Sequence, residues 1–226
     1  MSDPKIDRRA LLAITAVAGA AVAASANAQP TAATFAPKPL PFDPKAIPGL
    51  SEKLLVSHHD NNYAGAVKRL GAIEAQLAAL DYATAPTFVV NGLKREELIA
   101  WNSSLLHEIY FGGLGAPVAP SAGLAHAIEQ SFGSQARWAS EFSGIGKALG
   151  GGSGWVLLSW SGRDGRLVNQ WAADHTMTLA GGMPILALDM YEHAYALDYG
   201  AKATAYVDAF MSGFGWANAN RLFAKG

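Results

Sequence analysis

The sequence predicts an α+β protein in which an N-terminal hairpin of long helices precedes a C-terminal α/β lobe with a small three-stranded antiparallel sheet. Helical spacing of apolar residues dominates up to about residue 116. Short apolar runs bounded by glycine and turn residues appear only later, beyond Pro117 and Pro120. This order of elements is typical of an α+β fold. We therefore expect a helical hairpin domain over residues 50–116 and an α+β domain over residues 117–226.

Proline and capping signals define the helical half. Six prolines between residues 29 and 49 predict a Pro-rich, extended lead-in, because helices do not tolerate that density of proline. Ser51 is a suitable N-cap for the first helix. The pattern predicts helices over residues 52–80 and 94–111, the second capped near Asn91, with a looser connection over residues 83–92.

The C-terminal half alternates between the two periodicities. A glycine run at residues 150–154 separates helical spacing from short strand-like runs. The predicted helices cover residues 121–131, 134–148 and 202–223, and the predicted strands cover residues 155–159, 167–171 and 184–188. The last strand leads directly into Asp189, so this carboxylate is expected at the end of the sheet.

The first 28 residues have the pattern of an export signal. Arg8 and Arg9 precede an alanine-rich apolar run, and Ala26-Asn27-Ala28 is a small-x-small cleavage site. The arginine pair resembles a twin-arginine signal, and an ordinary Sec signal with a basic start is the alternative. The apolar run is short for a transmembrane anchor. We expect a periplasmic or secreted protein whose mature form has no membrane segment.

Composition excludes several classes of function. The chain has 226 residues, a formal net charge of −1 and no cysteine. A nearly neutral chain is not expected to bind nucleic acid or an anionic membrane surface. Without cysteine the chain forms no disulfide and performs no thiol catalysis.

Asp189 and His193 stand four residues apart in an aromatic, apolar stretch. On a helix, or on a tight strand-to-helix turn, both side chains can reach one ion. Carboxylate oxygen combined with imidazole is a donor set that Fe and Mn sites use, but a complete site needs two further histidines. His58 and His107 are the candidates, because each lies on an apolar helix side where an unpaired imidazole is costly to bury.

Two other histidines carry no such indication. His59 follows His58 directly, which on a helix turns it about 100° away, so we expect it in solvent. His126 lies on a short amphipathic helix and is expected to be an ordinary surface residue.

From about Leu40 to the C-terminus, these residues resemble the iron/manganese superoxide dismutase family. Residues 189–195, DMYEHAY, are similar to the family signature DxWEHAxY, with Tyr191 in place of Trp. Residues 152–155 match its GSGW segment, and residues 131–134 match its SFGS segment. The resemblance implies a superoxide dismutase that converts superoxide to oxygen and hydrogen peroxide. It also implies one Fe or Mn ion per subunit, with His58, His107, Asp189 and His193 as ligands.

The resemblance also implies residues around the metal. His175 falls at a family position whose side chain hydrogen-bonds the metal-bound solvent. The companion position, four residues before His107 on the second helix, holds Ser103, whose side chain is too short for this role. Glu192 would reach across a twofold axis to the ligand His193 of the partner subunit, which predicts a homodimer. The residues expected around the metal or at the dimer interface are Glu192, Trp155, Tyr110 and Asn62.

The first helix permits two alignments with the family. Matching Tyr63 to the family's gateway tyrosine places Leu55 at the first ligand position and destroys the site. Matching the segments on both sides of His58 keeps that ligand and places Ala66 at the gateway. We prefer the second alignment and retain Tyr63 as a candidate catalytic residue together with His175.

The preferred alignment predicts a wider entrance than the family usually has. Asn62 replaces the second histidine of the first helix, and Ala196 replaces the aromatic residue after Tyr195. Two other functions therefore stay open beside dismutation. One is a divergent metal-dependent peroxidase- or oxidase-like redox protein, and the other is a non-catalytic periplasmic metal-binding protein of the same fold.

Overall fold

The computed structural model describes residues 35–226, which belong to one compact unit. The predicted export signal and the first part of the Pro-rich lead-in lie outside the described residues. From residue 35 to Leu50 the chain forms turns and irregular structure without a helix or strand, as the prolines predict. Among the described residues, no helix combines the length and the apolar character that crossing a membrane requires.

The first predicted helix is confirmed, but it contains a π-helical turn that the sequence did not indicate. Its parts are α1 (Glu52–Ser57), the π segment (His58–Tyr63) and α2 (Ala64–Ala78). The Ser51 side chain accepts a hydrogen bond from the backbone N–H of Leu54 at 3.1 Å, which confirms the N-cap. π turns inside α-helices are frequent at functional sites, and this one begins at His58.

The second helix, α3 (Thr87–Gly113), begins seven residues earlier than predicted. The predicted loose connection and the cap near Asn91 were therefore wrong. Phe88, Val89 and Val90 are poor helix formers, yet Pro86 precedes them with a φ of −58°, and proline is well suited to a helix start. Leu93 also packs on a cluster formed by α2 and α3, so tertiary packing outweighs local propensity here.

The C-terminal elements agree with the prediction within a few residues. Ser121 and Ser134 cap the first two helices, and Gly133, with φ 83°, ends the first in the left-handed region. The helices are α4 (Ala122–Phe132), α5 (Gln135–Ala148), α6 (Ala196–Tyr199), α7 (Ala203–Gly213) and α8 (Ala217–Phe223), with a 3₁₀ turn at Glu192–Ala194. The strands are β1 (Trp155–Ser161), β2 (Arg166–Ala172) and β3 (Gly182–Asp189).

The three-stranded antiparallel sheet has the order β2-β1-β3. The first residue of β1, Trp155, pairs with the last residue of β3, Asp189. The backbone N–H of Met190 donates to Gly154 O at 2.9 Å and closes this corner. Helix α3 packs against β3, so the sheet corner faces the helical half of the molecule. The site is built at this corner.

Candidate metal centre

Four side chains from both halves of the chain converge at the sheet corner. His58 opens the π segment, His107 lies on α3, Asp189 ends β3, and His193 lies in the 3₁₀ turn that follows. One ligand atom from each lies within 4.8 Å of those of the other three. His58, His107 and Asp189 are buried, whereas the His193 side chain is 27% exposed. The structure thus brings together the four residues that the sequence predicted as ligands.

The geometry centres on a single carboxylate oxygen. Oδ2 of Asp189 lies 3.1 Å from His58 Nε2, 3.3 Å from His193 Nε2 and 3.5 Å from His107 Nε2. Its other oxygen, Oδ1, accepts a hydrogen bond from the Tyr191 backbone N–H at 2.8 Å. The carboxylate is therefore held in orientation by its own chain, with Oδ2 turned toward the three imidazoles.

The tautomer of His107 shows what this centre requires. Its Nδ1 lies 2.6 Å from the backbone oxygen of Ser103, an acceptor, so Nδ1 carries the proton and Nε2 carries a lone pair. His107 Nε2 is buried and has no hydrogen-bond partner among the described residues. Without a cation, this lone pair would face a carboxylate oxygen. A metal ion between the two resolves the conflict, because both atoms are then ligands.

Burial sets the charge of the ligands. Desolvation lowers the pKa of His107 from 6.5 to about 3 and also lowers the pKa of His58, so both imidazoles are neutral at pH 7. Desolvation opposes ionisation of Asp189, but the neighbouring His193 and His58 side chains outweigh it and hold the pKa below its usual value. Neutral imidazoles and an ionised carboxylate are the forms that bind a metal.

The donor set fits Fe or Mn. Ligand atoms about 2.0–2.2 Å from one ion are separated by about 3.0–3.5 Å at ordinary coordination angles, and the distances from Asp189 Oδ2 fall in this interval. Three nitrogen ligands and one carboxylate oxygen, with no sulfur, suit a redox-active iron or manganese ion.

Comparison with known proteins leads to the same group. The family model described as "Iron/manganese superoxide dismutases, C-terminal domain" matches residues 120–222. The chain is 65% identical over 187 residues to "Superoxide dismutase [Fe]" of Cupriavidus metallidurans, covering 83% of this chain and 95% of that protein. This chain belongs to the iron/manganese superoxide dismutase family.

More distant relatives include both metals. The chain is 32% identical to "Superoxide dismutase [Fe]" of Aquifex pyrophilus, which covers 80% of this chain and 88% of that protein. It is also 32% identical to "Superoxide dismutase [Mn] 1" of Halobacterium salinarum, which covers 83% of this chain and 94% of that protein. The relatives of this chain thus include proteins named for iron and proteins named for manganese.

In this member of the superoxide dismutase family, His175 lies beside the ligands in a defined tautomer. The indole N–H of Trp155 donates to His175 Nδ1 at 3.0 Å, which leaves Nε2 as the N–H donor. The His175 ring stacks on Tyr191 at 4.8 Å and lies 6.3 Å from the His107 ring, measured between centroids. Burial lowers the pKa of His175, so the ring is neutral at pH 7. Trp155 thus orients His175 and sets which nitrogen carries the proton.

Two tyrosines support the carboxylate from behind. The Tyr206 hydroxyl lies 2.8 Å from the backbone oxygen of Asp189 and 3.2 Å from the Tyr110 hydroxyl. Tyr110 is fully buried, and its ring centroid lies 5.1 Å from that of His58. The sequence predicted Tyr110 near the site but missed Tyr206, which lies on α7 in an ordinary apolar helical pattern.

The Tyr63 ring lies near the rings of Phe111 and of the predicted ligand His107. Its hydroxyl donates to Glu108 Oε1 at 3.1 Å and accepts from the Lys38 backbone N–H at 3.0 Å. Glu108 also forms an ion pair with the Lys38 side chain. Burial raises the pKa of Tyr63, and its ring centroid is 6.4 Å from that of His107. Tyr63 therefore connects the lead-in to α3. Both hydrogen bonds of its hydroxyl go to Lys38 and Glu108, and neither goes to a ligand atom.

The remaining predicted positions line the outer part of the site. Asn62 and Ala66 are half-buried on the first helix, and Glu192 and Ala196 are exposed beside His193. The π segment, with Asn62, and the 3₁₀ turn, with Glu192 and His193, pack against each other. His193 is the one predicted ligand whose side chain is partly exposed.

The two histidines outside the ligand set had different outcomes. His126 is exposed, as predicted. The prediction that His59 lies in solvent was wrong, because its side chain is only 13% exposed. Its Nε2 lies 2.8 Å from Lys38 O and its Nδ1 lies 2.7 Å from Asp60 Oδ1. The Pro-rich lead-in passes over this side of the helix, which helical periodicity alone does not reveal.

Asn102 is a further residue that the sequence did not single out. Its side-chain amide donates to the backbone oxygen of His175 at 2.6 Å, which ties the loop carrying His175 to α3. The signal that could have found it is its position five residues before His107 on the same helix.

Proposed function

We infer that this protein is a superoxide dismutase, which converts superoxide to oxygen and hydrogen peroxide with Fe or Mn held by His58, His107, Asp189 and His193. The observation that carries this inference is the convergence of three imidazole Nε2 atoms on Asp189 Oδ2, in a chain of this family. The metal, when bound, supplies one-electron exchange with successive superoxide ions. The chain supplies the ligands, the orientation of the carboxylate and the placement of protons.

Proton placement is the part of the reaction that His175 can perform. Two superoxide ions and two protons give one oxygen molecule and one hydrogen peroxide molecule, so protons must be delivered as peroxide forms. His175 is neutral, carries its proton on Nε2 and lies beside the ligand rings. We propose that its N–H hydrogen-bonds the small molecule at the centre. Trp155 and Asn102 would hold this orientation, one through the ring and the other through the backbone.

The two alternative functions are less well supported. A non-catalytic metal-binding protein would need the ligands but not the tautomer control at His175, and both are present. A peroxidase-like role rests on a wide entrance at Ala66 and Ala196, but no oxidisable-substrate site among the described residues favours it. Dismutation accounts for the ligands and the surrounding hydrogen bonds together.

We also propose that the protein acts as an exported homodimer. The twin-arginine pattern of the first 28 residues supports export to the periplasm. The exposed Glu192 adjoins the partly exposed His193, which supports a partner subunit covering this side of the site. A Glu192 carboxylate from a second copy could then accept a hydrogen bond from His193, whose Nδ1 faces away from the centre when Nε2 binds the metal.

The test is metal analysis combined with a superoxide assay on residues 29–226. Protein loaded with iron and protein loaded with manganese are assayed separately, and Asp189→Ala serves as the control that removes the central ligand. We expect about one ion per chain and superoxide consumption that Asp189→Ala abolishes. A fully metallated protein with no more activity than Asp189→Ala would reject the inference. Peroxide-dependent oxidation in place of dismutation would favour the divergent redox role.

A further inference from the structure

The turn that carries His175 is closed by a methionine. The backbone N–H of Met177 donates to the backbone oxygen of Asp174 at 3.4 Å. The Met177 sulfur accepts a hydrogen bond from the backbone N–H of Ala173 at 3.3 Å. The Met177 side chain therefore bends back over the turn and holds its beginning. Because His175 lies between these attachment points, its position depends on the thioether contact.

Two further side chains hold the same segment. Ser153 Oγ donates to the backbone oxygen of Ala173 at 3.0 Å, and the Asn102 amide donates to the backbone oxygen of His175 at 2.6 Å. A hydroxyl and an amide resist oxidation by peroxide, whereas a thioether does not. Of these three side-chain contacts, the one made by Met177 is therefore the contact that peroxide can change.

Among the methionines of the described residues, Met177 is the most exposed. Its exposed fraction is 40%, whereas Met190 is fully buried and Met183 and Met211 are partly buried against the core. The chain contains no cysteine, so thioethers are its only sulfur groups. Hydrogen peroxide, the product of superoxide dismutation, oxidises accessible thioethers to sulfoxides. Met177 is thus the described sulfur most open to the enzyme's own product.

Oxidation of Met177 by peroxide is a balanced two-electron step. The sulfur lone pair attacks one peroxide oxygen, the O–O bond breaks and an S–O bond forms. The second oxygen takes the proton of the first and leaves as water. The sulfur is oxidised to a sulfoxide and the peroxide is reduced, so no other reactant is needed. A flexible apolar side chain becomes a polar, chiral one.

The sulfoxide cannot keep the present contact with the turn. At 3.3 Å the Ala173 nitrogen and the Met177 sulfur already touch, and no space for an oxygen remains between them. The added oxygen either accepts the N–H itself and pushes the sulfur outward, or leaves the N–H without this partner. Both results loosen the turn beside His175, whereas the metal ligands are not altered chemically.

We propose that Met177 is a reversible oxidation site through which hydrogen peroxide lowers turnover by displacing His175. The proposal rests on the proposed function, because it takes His175 as the residue that hydrogen-bonds the small molecule at the centre. It adds a site at which the product of the reaction acts back on the enzyme.

The test measures the activity that a methionine sulfoxide reductase restores. Metal-loaded wild type, Met177→Leu and Met211→Leu are treated with hydrogen peroxide and freed of it. Superoxide consumption is then assayed before and after incubation with the reductase and a dithiol. Peptide mass spectrometry gives the oxygen gained at each methionine. Met211→Leu is the matched control, since Met211 lies on α7, outside the His175 turn. Damage at the metal is not repaired by the reductase and therefore does not count.

We expect one added oxygen at Met177 in the wild type and in Met211→Leu, and a gain of about 10-fold in activity when the reductase removes it. Met177→Leu should gain nothing; each variant is compared with itself, so its starting activity does not matter. No oxygen at Met177, no gain in the wild type, or an equal gain in Met177→Leu would overturn the proposal.

Untreated protein separates this proposal from the proposed function. Untreated wild type that is no more active than Asp189→Ala would reject the function and, with it, the role of Met177. Untreated wild type that is active but gains nothing from the reductase would reject the role of Met177 alone.

Discussion

The two sides of helix α3 reverse the usual arrangement of polar and apolar residues. Its inner side carries Ser103, His107 and Tyr110, all buried, with hydrogen bonds or a metal ligand position for each. Its outer side carries Leu98, Trp101 and Leu105, which are exposed. On this helix, burial therefore does not follow polarity, since the buried polar groups build the metal centre and apolar groups stay exposed on the opposite side.

The comparison teaches how the inner side tolerates buried polar groups. Each has a partner that fixes its form: Ser103 O accepts from His107 Nδ1, and Tyr206 bridges Tyr110 and the Asp189 backbone. A buried polar group without such a partner would destabilise the fold by a few kcal/mol. The residues of the outer side need no such partners, because an apolar side chain has no hydrogen-bonding group to satisfy.

The largest expected difference between the two sides concerns metal binding. His107→Ala removes a ligand and leaves Asp189 with one fewer partner, so we expect metal content below about a tenth of wild type and a loss of activity greater than about 100-fold. Leu105→Ala on the outer side should retain both. Elemental analysis and a superoxide assay on the two variants measure this difference. Full metal content in His107→Ala would show that the inner side is not the metal centre.

In metal-free protein, the free energy of unfolding should depend on pH through the buried histidines of the inner side. Burial lowers the pKa of His107 in the folded chain to about 3, below the ordinary value of 6.5. As the pH falls, the unfolded chain therefore binds this proton at a higher pH than the folded chain does. The resulting stability is present above pH 6.5 and is lost progressively as the pH falls toward 3, by an amount on the order of 4 kcal/mol. The free energy of unfolding of metal-free protein, measured by denaturant titration across this range, tests the sign.

A matched variant attributes that pH dependence to the buried histidines. Metal-free His107→Ala should lose less stability than metal-free wild type between pH 6.5 and pH 4. The lowered pKa of His58 acts in the same direction and should leave part of the dependence in place. A metal-free wild type whose stability is the same at both ends of the range would contradict the burial of neutral imidazoles.

The tautomer of His175 should matter for turnover and not for metal retention. Trp155→Phe keeps an aromatic ring but removes the N–H that donates to His175 Nδ1. We expect metal content near wild type and activity reduced by about 10-fold, with His175→Ala at the upper end of a 10- to 100-fold loss. Steady-state rates over pH 6–9 on metal-quantified protein measure this. Equal rates in wild type and Trp155→Phe would remove Trp155 as the residue that orients His175.

The smallest expected effect concerns the support behind Asp189. Tyr206→Phe removes the hydroxyl that bonds the Asp189 backbone oxygen and Tyr110 while keeping the packed ring. Because buried polar groups then lack a partner, we expect a loss of about 1–3 kcal/mol in the free energy of unfolding. Tyr82→Phe, at a tyrosine that is 58% exposed, is the control and should change stability by less than about 0.5 kcal/mol. Equal effects in the two variants would mean that the hydroxyl network does not stabilise the corner.

Local chemistry explains what could be predicted. Caps at Ser51, Ser121 and Ser134 act within one helical turn, so the sequence contains the whole signal. The start of α3 was misplaced because the apolar run after Pro86 reads equally well as an extended segment, and only packing against α2 decides for a helix. His59 was misplaced for the same reason, since the contact that covers it comes from the lead-in.

The sequence by itself determined the class of fold and the order of its elements, because residue type and periodicity are properties of the chain, and its resemblance to a known family indicated the four metal ligands. Only the tertiary structure decided the tautomers of His107 and His175, the support from Tyr206 and the exposure of Leu98, Trp101 and Leu105. The physical reason is that these features depend on distances of a few ångströms between residues far apart in the chain. No local pattern encodes them, since a proton on one nitrogen or the other is chosen by whichever partner the fold brings within reach.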